Sequence, residues 1–382
     1  MIKIIKNANV YSPEPIGKRD ILILDERIAH IAEKIDPPTG LGEVEVVDVK
    51  GATVVPGFID QHVHIIGGGG EGGPATRTPE IQLSQITTNG VTTVVGCLGT
   101  DGTTRHMYSL LAKARALEIE GITTFIYTGA YEVPTPTILD NVRDDVALID
   151  KVIGVGEIAI SDHRSAQPSV EDLKKLAAEA RVGGLLGGKP GLVHFHVGGG
   201  PRGIQPIFDI LESTELPITI FTPTHMNRNP QLLEQGARFA KQGGKVDITA
   251  GRNAYKGIMR LLNEFNVPIE NITISSDGNG SMPRFDQDGN LVGLGVGSVR
   301  TNLETWRDVM IKGHVPMEEA LKILTTNVAE NLKLTGKKGC IAVGADADIV
   351  ELTDELEINR VWTRGRLMVE NGEAIVKGTF EQ

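Results

Sequence analysis

Pro56-Gly57-Phe58-Ile59-Asp60-Gln61-His62-Val63-His64 is the stretch on which the fold of this chain turns. An apolar run from Thr53 to Ile59 leads into two histidines separated by one residue. Successive side chains on a strand alternate faces, so residues i and i+2 point the same way. His62 and His64 are therefore expected to present two imidazoles side by side at the C-terminal end of a strand. That is where β/α-barrel enzymes build their active sites. Working outward, apolar strand candidates recur roughly every thirty residues, a spacing that suits βα units. They are Val54–Ile59, Val91–Cys97, Thr123–Tyr127, Ile153–Ile160, Gly191–His196, Ile218–Thr222, Val246–Thr249 and Ile272–Ser275. Helical patterns fall between them at Glu171–Arg181, Pro206–Glu212, Gln231–Gln242 and Gly257–Phe265. The count matches an α/β fold of the (β/α)8 TIM-barrel type, typically about 250 residues. A doubly wound open sheet is the other architecture such units allow. Candidate ligands that end several strands, and do not gather at one crevice, favour the barrel.

Both chain ends have a different texture. Ile2–Ile5, Ile21–Leu24, Arg27–Ala32 and Val44–Val49 read as short strands broken by turn formers such as Ser12-Pro13-Glu14-Pro15. Ala347–Leu352, Ile358–Thr363, Arg366–Glu370 and Ala374–Lys377 read alike, with a turn at Asn371-Gly372. Neither piece has the apolar positions to close a core alone. Together, 1–54 plus 343–382 are expected to form a small β-domain built from both termini, beside a catalytic metal-dependent hydrolase barrel at 55–342.

Composition narrows the class of partner. Among 382 residues, 40% hydrophobic content suffices for a large core, and a net charge of −11 argues against nucleic acid or an anionic membrane. The 46 glycines fall mostly between apolar runs, as expected of many short connections. Cys97 and Cys340 cannot form a disulfide framework and suit a reducing cytoplasm, where each is expected to be an inert small hydrophobe. No apolar run approaches the ~18 residues of a membrane span, and the first residues lack a signal-peptide layout. The expectation is a soluble cytoplasmic protein.

Further ligand candidates end other strands. Glu157 lies within Gly154-Val155-Gly156-Glu157-Ile158-Ala159-Ile160, and a carboxylate in an apolar run is costly to bury unless it is paired or binds metal. The fifth strand ends in His194-Phe195-His196, the sixth in Thr222-Pro223-Thr224-His225 and the eighth in Ser275-Ser276-Asp277. Singly, each histidine is an ordinary polar residue. Jointly, His62, His64, Glu157, His196, His225 and Asp277 suffice for two ions sharing a bridge. Nitrogen and oxygen donors suit zinc or a similar divalent ion. Two such ions about 3.5–4 Å apart activate a bridging water and polarise a carbonyl. His194 competes with His196 for the ligand role, and His163 is placed to support a ligand from outside. His106 lies in a loop, and His30 and His314 read as surface or packing residues.

At this point the residues carry a likeness. Gly57-Phe58-Ile59-Asp60-x-His62-x-His64 and Gly344-Ala345-Asp346-Ala347-Asp348-Ile349-Val350 resemble the amidohydrolase superfamily. A narrower match begins with the glycine-rich loop Gly67-Gly68-Gly69-Gly70-Glu71-Gly72-Gly73-Pro74. It continues through Leu98-Gly99-Thr100-Asp101-Gly102, Thr128-Gly129-Ala130-Tyr131, Ser161-Asp162-His163-Arg164, Thr224-His225-x-Asn227-Arg228-Asn229 and Ser276-Asp277-Gly278-Asn279-Gly280-Ser281. Over nearly the whole chain these motifs resemble the isoaspartyl (β-aspartyl) dipeptidase family. The histidine pair is superfamily-wide, whereas the Glu71 loop with Ser-Asp-His-Arg is more selective.

The resemblance implies two Zn2+ or other divalent ions per chain, one held by His62, His64 and Asp277, the other by His196 and His225. It implies a zinc dipeptidase whose metal-bridging hydroxide hydrolyses β-aspartyl dipeptides in salvage of isomerised peptides, and a homo-oligomer. Asp277 would shuttle a proton to the leaving amine, and Tyr131 would hydrogen-bond the scissile carbonyl. Glu71 would take the substrate's α-ammonium, while the Gly69 backbone, Thr100, Arg164, Arg228 and Ser281 would position its carboxylates. Guanidinium groups bind planar carboxylates bidentately, which suits a doubly anionic dipeptide.

One departure stands out. The family's better-known members carry a carboxylated lysine on the fourth strand as the bridge, whereas this chain reads Val155-Gly156-Glu157 with no lysine after Lys151. Glutamate offers the same singly charged carboxylate on a shorter stem, so Glu157 is expected to bridge the ions from a strand holding one extra residue. A bulge is expected at Gly156.

Blander readings stay open on the residues alone. Glu71 could be a solvated loop charge, Tyr131 packing, and Arg164 and Arg228 structural ion pairs. No Gly-Lys-Ser/Thr follows the glycine loop, so it is no phosphate-binding Walker loop. Asp286-Gln287-Asp288-Gly289-Asn290 lacks the full calcium-loop pattern and reads as an Asp-Gly turn. The functional rivals are a cyclic amidase of the hydantoinase or dihydroorotase type, and a non-catalytic scaffold.

Overall fold

At Pro56-Gly57 the chain leaves one sheet and enters another, and this break organises the molecule. The computed structural model describes residues 1–40, 42–285 and 291–382. Before the break lie β1 (Ile2–Tyr11), β2 (Pro15–Leu24), β3 (Arg27–Ala32), β4 (Val44–Asp48) and β5 (Thr53–Pro56). After it come β6 (Phe58–Val63), β7 (Val91–Gly96), β8 (Thr123–Thr128), β9 (Val152–Ile160), β10 (Leu192–Val197), β11 (Phe221–Thr224), β12 (Val246–Thr249) and β13 (Ile272–Ser275). A hairpin of β14 (Ser281–Phe285) and β15 (Leu291–Val296) follows, and β16 (Ile349–Leu352), β17 (Ile358–Thr363), β18 (Arg366–Glu370) and β19 (Glu373–Ala374) end the chain.

Strands β6 to β11 form one parallel six-stranded sheet, and β12 pairs in parallel with β13. Two links close the ring. The Met226 N–H bonds the Asp247 carbonyl (3.3 Å), and β13 returns to β6, where a bridge joins Val63 to Gly278. The result is the expected TIM barrel. Its helices cover the outside, burying one stripe each, as Leu173, Leu176, Ala177 and Ala180 do on helix Val170–Gly187. That helix starts where Ser169 Oγ accepts from the Asp172 N–H (3.2 Å) and the Asp172 carboxylate accepts from the Ser169 N–H (3.0 Å). Such a reciprocal cap is worth about 1 kcal/mol.

The remaining strands join in a nine-stranded mixed sheet of order β19-β18-β17-β16-β5-β1-β2-β3, with β4 added on β1. Its core of Ile5, Val10, Ile21, Ile23, Ile349 and Trp362 draws on both termini.

Some expected boundaries move. The single strand read at Val54–Ile59 is two, because β5 pairs with β1 and β16 while β6 pairs with β7. Gly57 sits between them with its N–H on the Asp348 carbonyl, and an added Cβ would lie 2.3 Å from Thr92 Oγ1, so only glycine fits. The strand read at Ile218–Thr222 begins only at Phe221, because Ile218–Ile220 after Pro217 is a 3-10 turn. The strand read at Ala374–Lys377 shrinks to β19. The Asp286–Asn290 stretch lies outside the described residues. No helix among the described residues is long and apolar enough to cross a membrane.

Candidate active site

The C-terminal ends of the barrel strands bring His62, His64, Glu157, His196, His225 and Asp277 to one mouth. Glu157 reaches it through an irregularity in β9. In the pairing of β9 with β10, His194 faces Gly156 and Phe195 faces Ile158, so Glu157 is an extra residue with no partner. A Cβ on Gly156 would lie 2.8 Å from His194 Cβ and 2.9 Å from its carbonyl oxygen, so glycine lets the two strands approach. His225 and Asp277 adopt left-handed backbone conformations (φ 64° and 52°), a rarely populated state that clusters at active sites.

The donor atoms fall into two groups that share Glu157. On one side, His62 Nε2 lies 3.3 Å from Glu157 Oε2 and 3.5 Å from Asp277 Oδ1. His64 Nε2 lies 3.9 and 3.0 Å from the same two oxygens. Donors at about 2.0–2.2 Å from a tetrahedral zinc stand about 3.3–3.6 Å apart, a spacing that these four distances, 3.0–3.9 Å, bracket. On the other side, Glu157 Oε1 lies 2.8 Å from His196 Nδ1 and 3.2 Å from His225 Nε2. The two carboxylate oxygens thus face different pairs of imidazoles. His62 Nε2 and Glu157 Oε2 are fully buried yet make no hydrogen bond, although they are 3.3 Å apart. Unpartnered buried donors of this kind carry a desolvation penalty of about 1–3 kcal/mol, which an ion between them would remove. The residues fit a two-metal site.

Protonation follows the same geometry. Burial opposes charge on Glu157, but the imidazoles of His62 and His196 outweigh it and hold the carboxyl well below its usual range. Burial likewise opposes protonation of His62, yet Glu157 and Cys97 keep it well above the ordinary value. Burial and the neighbouring His196 push His225 down to about 4. The Tyr131 phenol is raised well above its usual value, by burial and then by Glu157, so it remains a donor.

Beside the cage lies a cavity of about 520 Å3 lined by Glu71, Tyr131, Arg164, Arg228, Asp277 and Ser281, with Gly69 and Thr100 on its wall. Every residue expected to contact substrate borders this cavity. Thr100 Oγ1 (2.9 Å) and Arg164 Nη1 (3.0 Å) donate to Glu71 Oε1. Arg164 also grips Asp162 with Nε on Oδ1 and Nη2 on Oδ2, both 2.9 Å, and lies over the Tyr131 ring. Arg228 Nη1 stands 4.0 Å from Asp162 Oδ2. The Tyr131 hydroxyl is 2.7 Å from His196 Nδ1.

One supporting residue differs from expectation. His163 is 91% exposed and leaves the supporting role to its neighbour Asp162, whose Oδ2 accepts from His196 Nε2 (3.0 Å). The Asp162 carboxyl stays well below the usual range, because His196 and Arg164 overcome its burial. His194 stands behind His62, its Nε2 3.0 Å from His62 Nδ1 and its ring stacked on Tyr127. Thr249 Oγ1 supports His225 at Nδ1 (2.7 Å). Such outer partners set the tautomer and orientation of metal-binding imidazoles. Lys151 points elsewhere, to the Thr124 carbonyl and Glu118. Cys97, read as an inert hydrophobe, lies buried against His62, His64 and Glu157. His30, His106 and His314 are exposed.

Residues 53–368 match the amidohydrolase family. Among solved structures, the β-aspartyl dipeptidase of Fervidobacterium islandicum AW-1, determined in complex with the β-Asp-Leu dipeptide, is 51% identical, covers 98% of each chain and has a TM-score of 0.91. The L-hydantoinase of Arthrobacter aurescens is 16% identical, covers 100% of this chain and 99% of its own, with a TM-score of 0.67, and shares the fold alone. Dihydropyrimidinase 2 of Caenorhabditis elegans is 45% identical over 65 residues, 17% of this chain, and the match spans only 12% of that protein. With the barrel, the terminal sheet and the six-residue mouth in place, the chain belongs to the amidohydrolase family of hydrolytic enzymes.

Proposed function

We propose that this chain is a binuclear zinc dipeptidase that hydrolyses β-aspartyl dipeptides. The observation that carries the reading is one cavity that unites the metal cage with Glu71, Arg164 and Arg228. The near-full-length likeness to a β-aspartyl dipeptidase supports it. Glu71 is matched to a free α-ammonium, and the two guanidinium groups to the carboxylates of an aspartyl dipeptide. Zinc is the ion we assign from the imidazole and carboxylate donors; His62, His64, Asp277 and Glu157 would hold one ion, and His196, His225 and Glu157 would hold the other. When bound, the ions supply an activated water and polarise the scissile carbonyl.

The chain's own groups do the rest. Tyr131 donates its hydroxyl hydrogen bond to the carbonyl oxygen as charge develops there. Asp277 takes the proton released by the attacking water and hands it to the departing amine, so one C–O bond forms as the C–N bond breaks. Arg164 and Arg228, with Thr100, Ser281 and the Gly69 backbone, hold the carboxylates and fix which carbonyl faces the cage. We place the enzyme in the cytoplasm, which its two unpaired cysteines suit.

The test is hydrolysis of β-Asp-Leu beside α-Asp-Leu and N-acetyl-β-Asp-Leu on one metal-analysed sample, with dihydroorotate and hydantoins as controls. Cleavage of β-Asp-Leu alone is expected. Equal rates on the α and β isomers, or preference for a cyclic amide, would refute the reading.

A further inference from the structure

We infer that Cys97 supplies a thiolate ligand to the ion held by His62 and His64, an inference that rests on the two-metal reading above. Cys97 follows β7 directly, so it stands at the same mouth as the other donors, one strand from the histidine pair. It is fully buried. Its Sγ, a ring nitrogen of each of His62 and His64, and a Glu157 oxygen all lie within 4.8 Å of one another.

The sulfur's contacts within the protein are long ones, at the limit for a sulfur hydrogen bond. Its neighbours are the Val63 carbonyl and His64 Nδ1, each 3.8 Å away, and a thiol is a weak donor at best. Meanwhile His62 Nε2 and Glu157 Oε2, buried and 3.3 Å apart, lack any hydrogen-bond partner. The cluster therefore gathers more donor capacity than internal hydrogen bonds use.

Charge points the same way. Two divalent ions would bring four positive charges into a buried site, and Glu157, Asp277 and the bridging hydroxide would return three negative ones. Buried uncompensated charge is costly, and a thiolate removes one unit of the excess. On binding, the S–H bond breaks, a sulfur–metal bond forms and one proton leaves to solvent. The other cysteine, Cys340, is partly exposed, and its thiol is raised by burial.

Zinc-edge X-ray absorption on the loaded full-length protein tests this directly. The expected result is a sulfur shell at about 2.3 Å, about one sulfur for every two zinc ions, in the native chain and in Cys340→Ser. In Cys97→Ser the shell should vanish. If Cys97→Ser fails to fold or load, a shell retained in Cys340→Ser still assigns the sulfur, because Cys97 is then the only cysteine. A native spectrum fitted by nitrogen and oxygen alone, or a shell that survives Cys97→Ser, overturns the inference. β-Asp-Leu hydrolysis measured on the same samples separates the claims. Activity without a sulfur shell defeats the Cys97 ligand alone, and a sulfur shell without activity defeats the dipeptidase reading alone.

Discussion

The metal cage and the substrate cradle share one mouth but follow opposite rules. In the cage, His62, His64, Glu157 and His196 are buried, and two of the donor atoms have no hydrogen-bond partner. In the cradle, Glu71, Arg164 and Arg228 are partly exposed, and Glu71 and Arg164 are paired with each other and with Thr100 and Asp162. Unpaired buried donors cost free energy until an ion arrives. Half-exposed paired charges are stable in water and can exchange partners when a charged ligand binds. Cage substitutions should therefore change metal content and everything that depends on it, and substitution of Glu71 in the cradle should leave metal content alone and change KM.

The largest effect is expected from Glu157→Ala, because one carboxylate faces both pairs of imidazoles. Elemental analysis after dialysis should find both ions lost, with affinity down more than the roughly 10–100-fold typical of outer-partner substitutions, and activity lost with them. Retention of two ions would break the comparison at its centre.

Asp162→Asn comes next. It weakens the carboxylate that orients His196, so the ion on the His196 and His225 side should bind about 10–100-fold more weakly. The His62 and His64 side should keep its ion. A stoichiometric zinc titration reads the difference, and equal weakening of both sites would show that the two halves are not separate.

Glu71→Gln should leave metal content unchanged and raise KM for β-Asp-Leu. Loss of one partner of a hydrogen-bonded charge pair costs about 2–5 kcal/mol when buried. Partial exposure of Glu71 places it near about 2 kcal/mol, roughly 30-fold in KM. A fall in metal content would tie cradle to cage.

Ser169→Ala, remote from both, should lower stability by about 1 kcal/mol through loss of the helix cap. Denaturant unfolding measures it, with zinc content and KM unaltered.

How far these features could be read in advance varied with their physics. The His62 and His64 pair was legible because a strand's period of two places both on one face. The slip at Gly156 was legible because Glu157 needs a closer backbone than lysine does. The break at Gly57 was not, since both flanks are apolar and only the crowding against Thr92 reveals it. Asp162 escaped notice for a related reason. In the Ser161–Arg164 loop no periodicity says which of two adjacent polar residues turns inward, and His163 was the more conspicuous ligand type. Cys97 carried a usable signal, its place at the end of a barrel strand like the other donors, but its apolar surroundings suggested packing.

The account rests most heavily on the Glu157 bridge, and a crystal structure of the zinc-loaded protein grown without added bicarbonate tests it directly. Glu157 Oε1 and Oε2 should each lie about 2.0–2.2 Å from a different ion, with His196 and His225 on one and His62 and His64 on the other. Glu157 more than about 3 Å from both ions, or a lysine carrying the bridge in its place, would contradict the account.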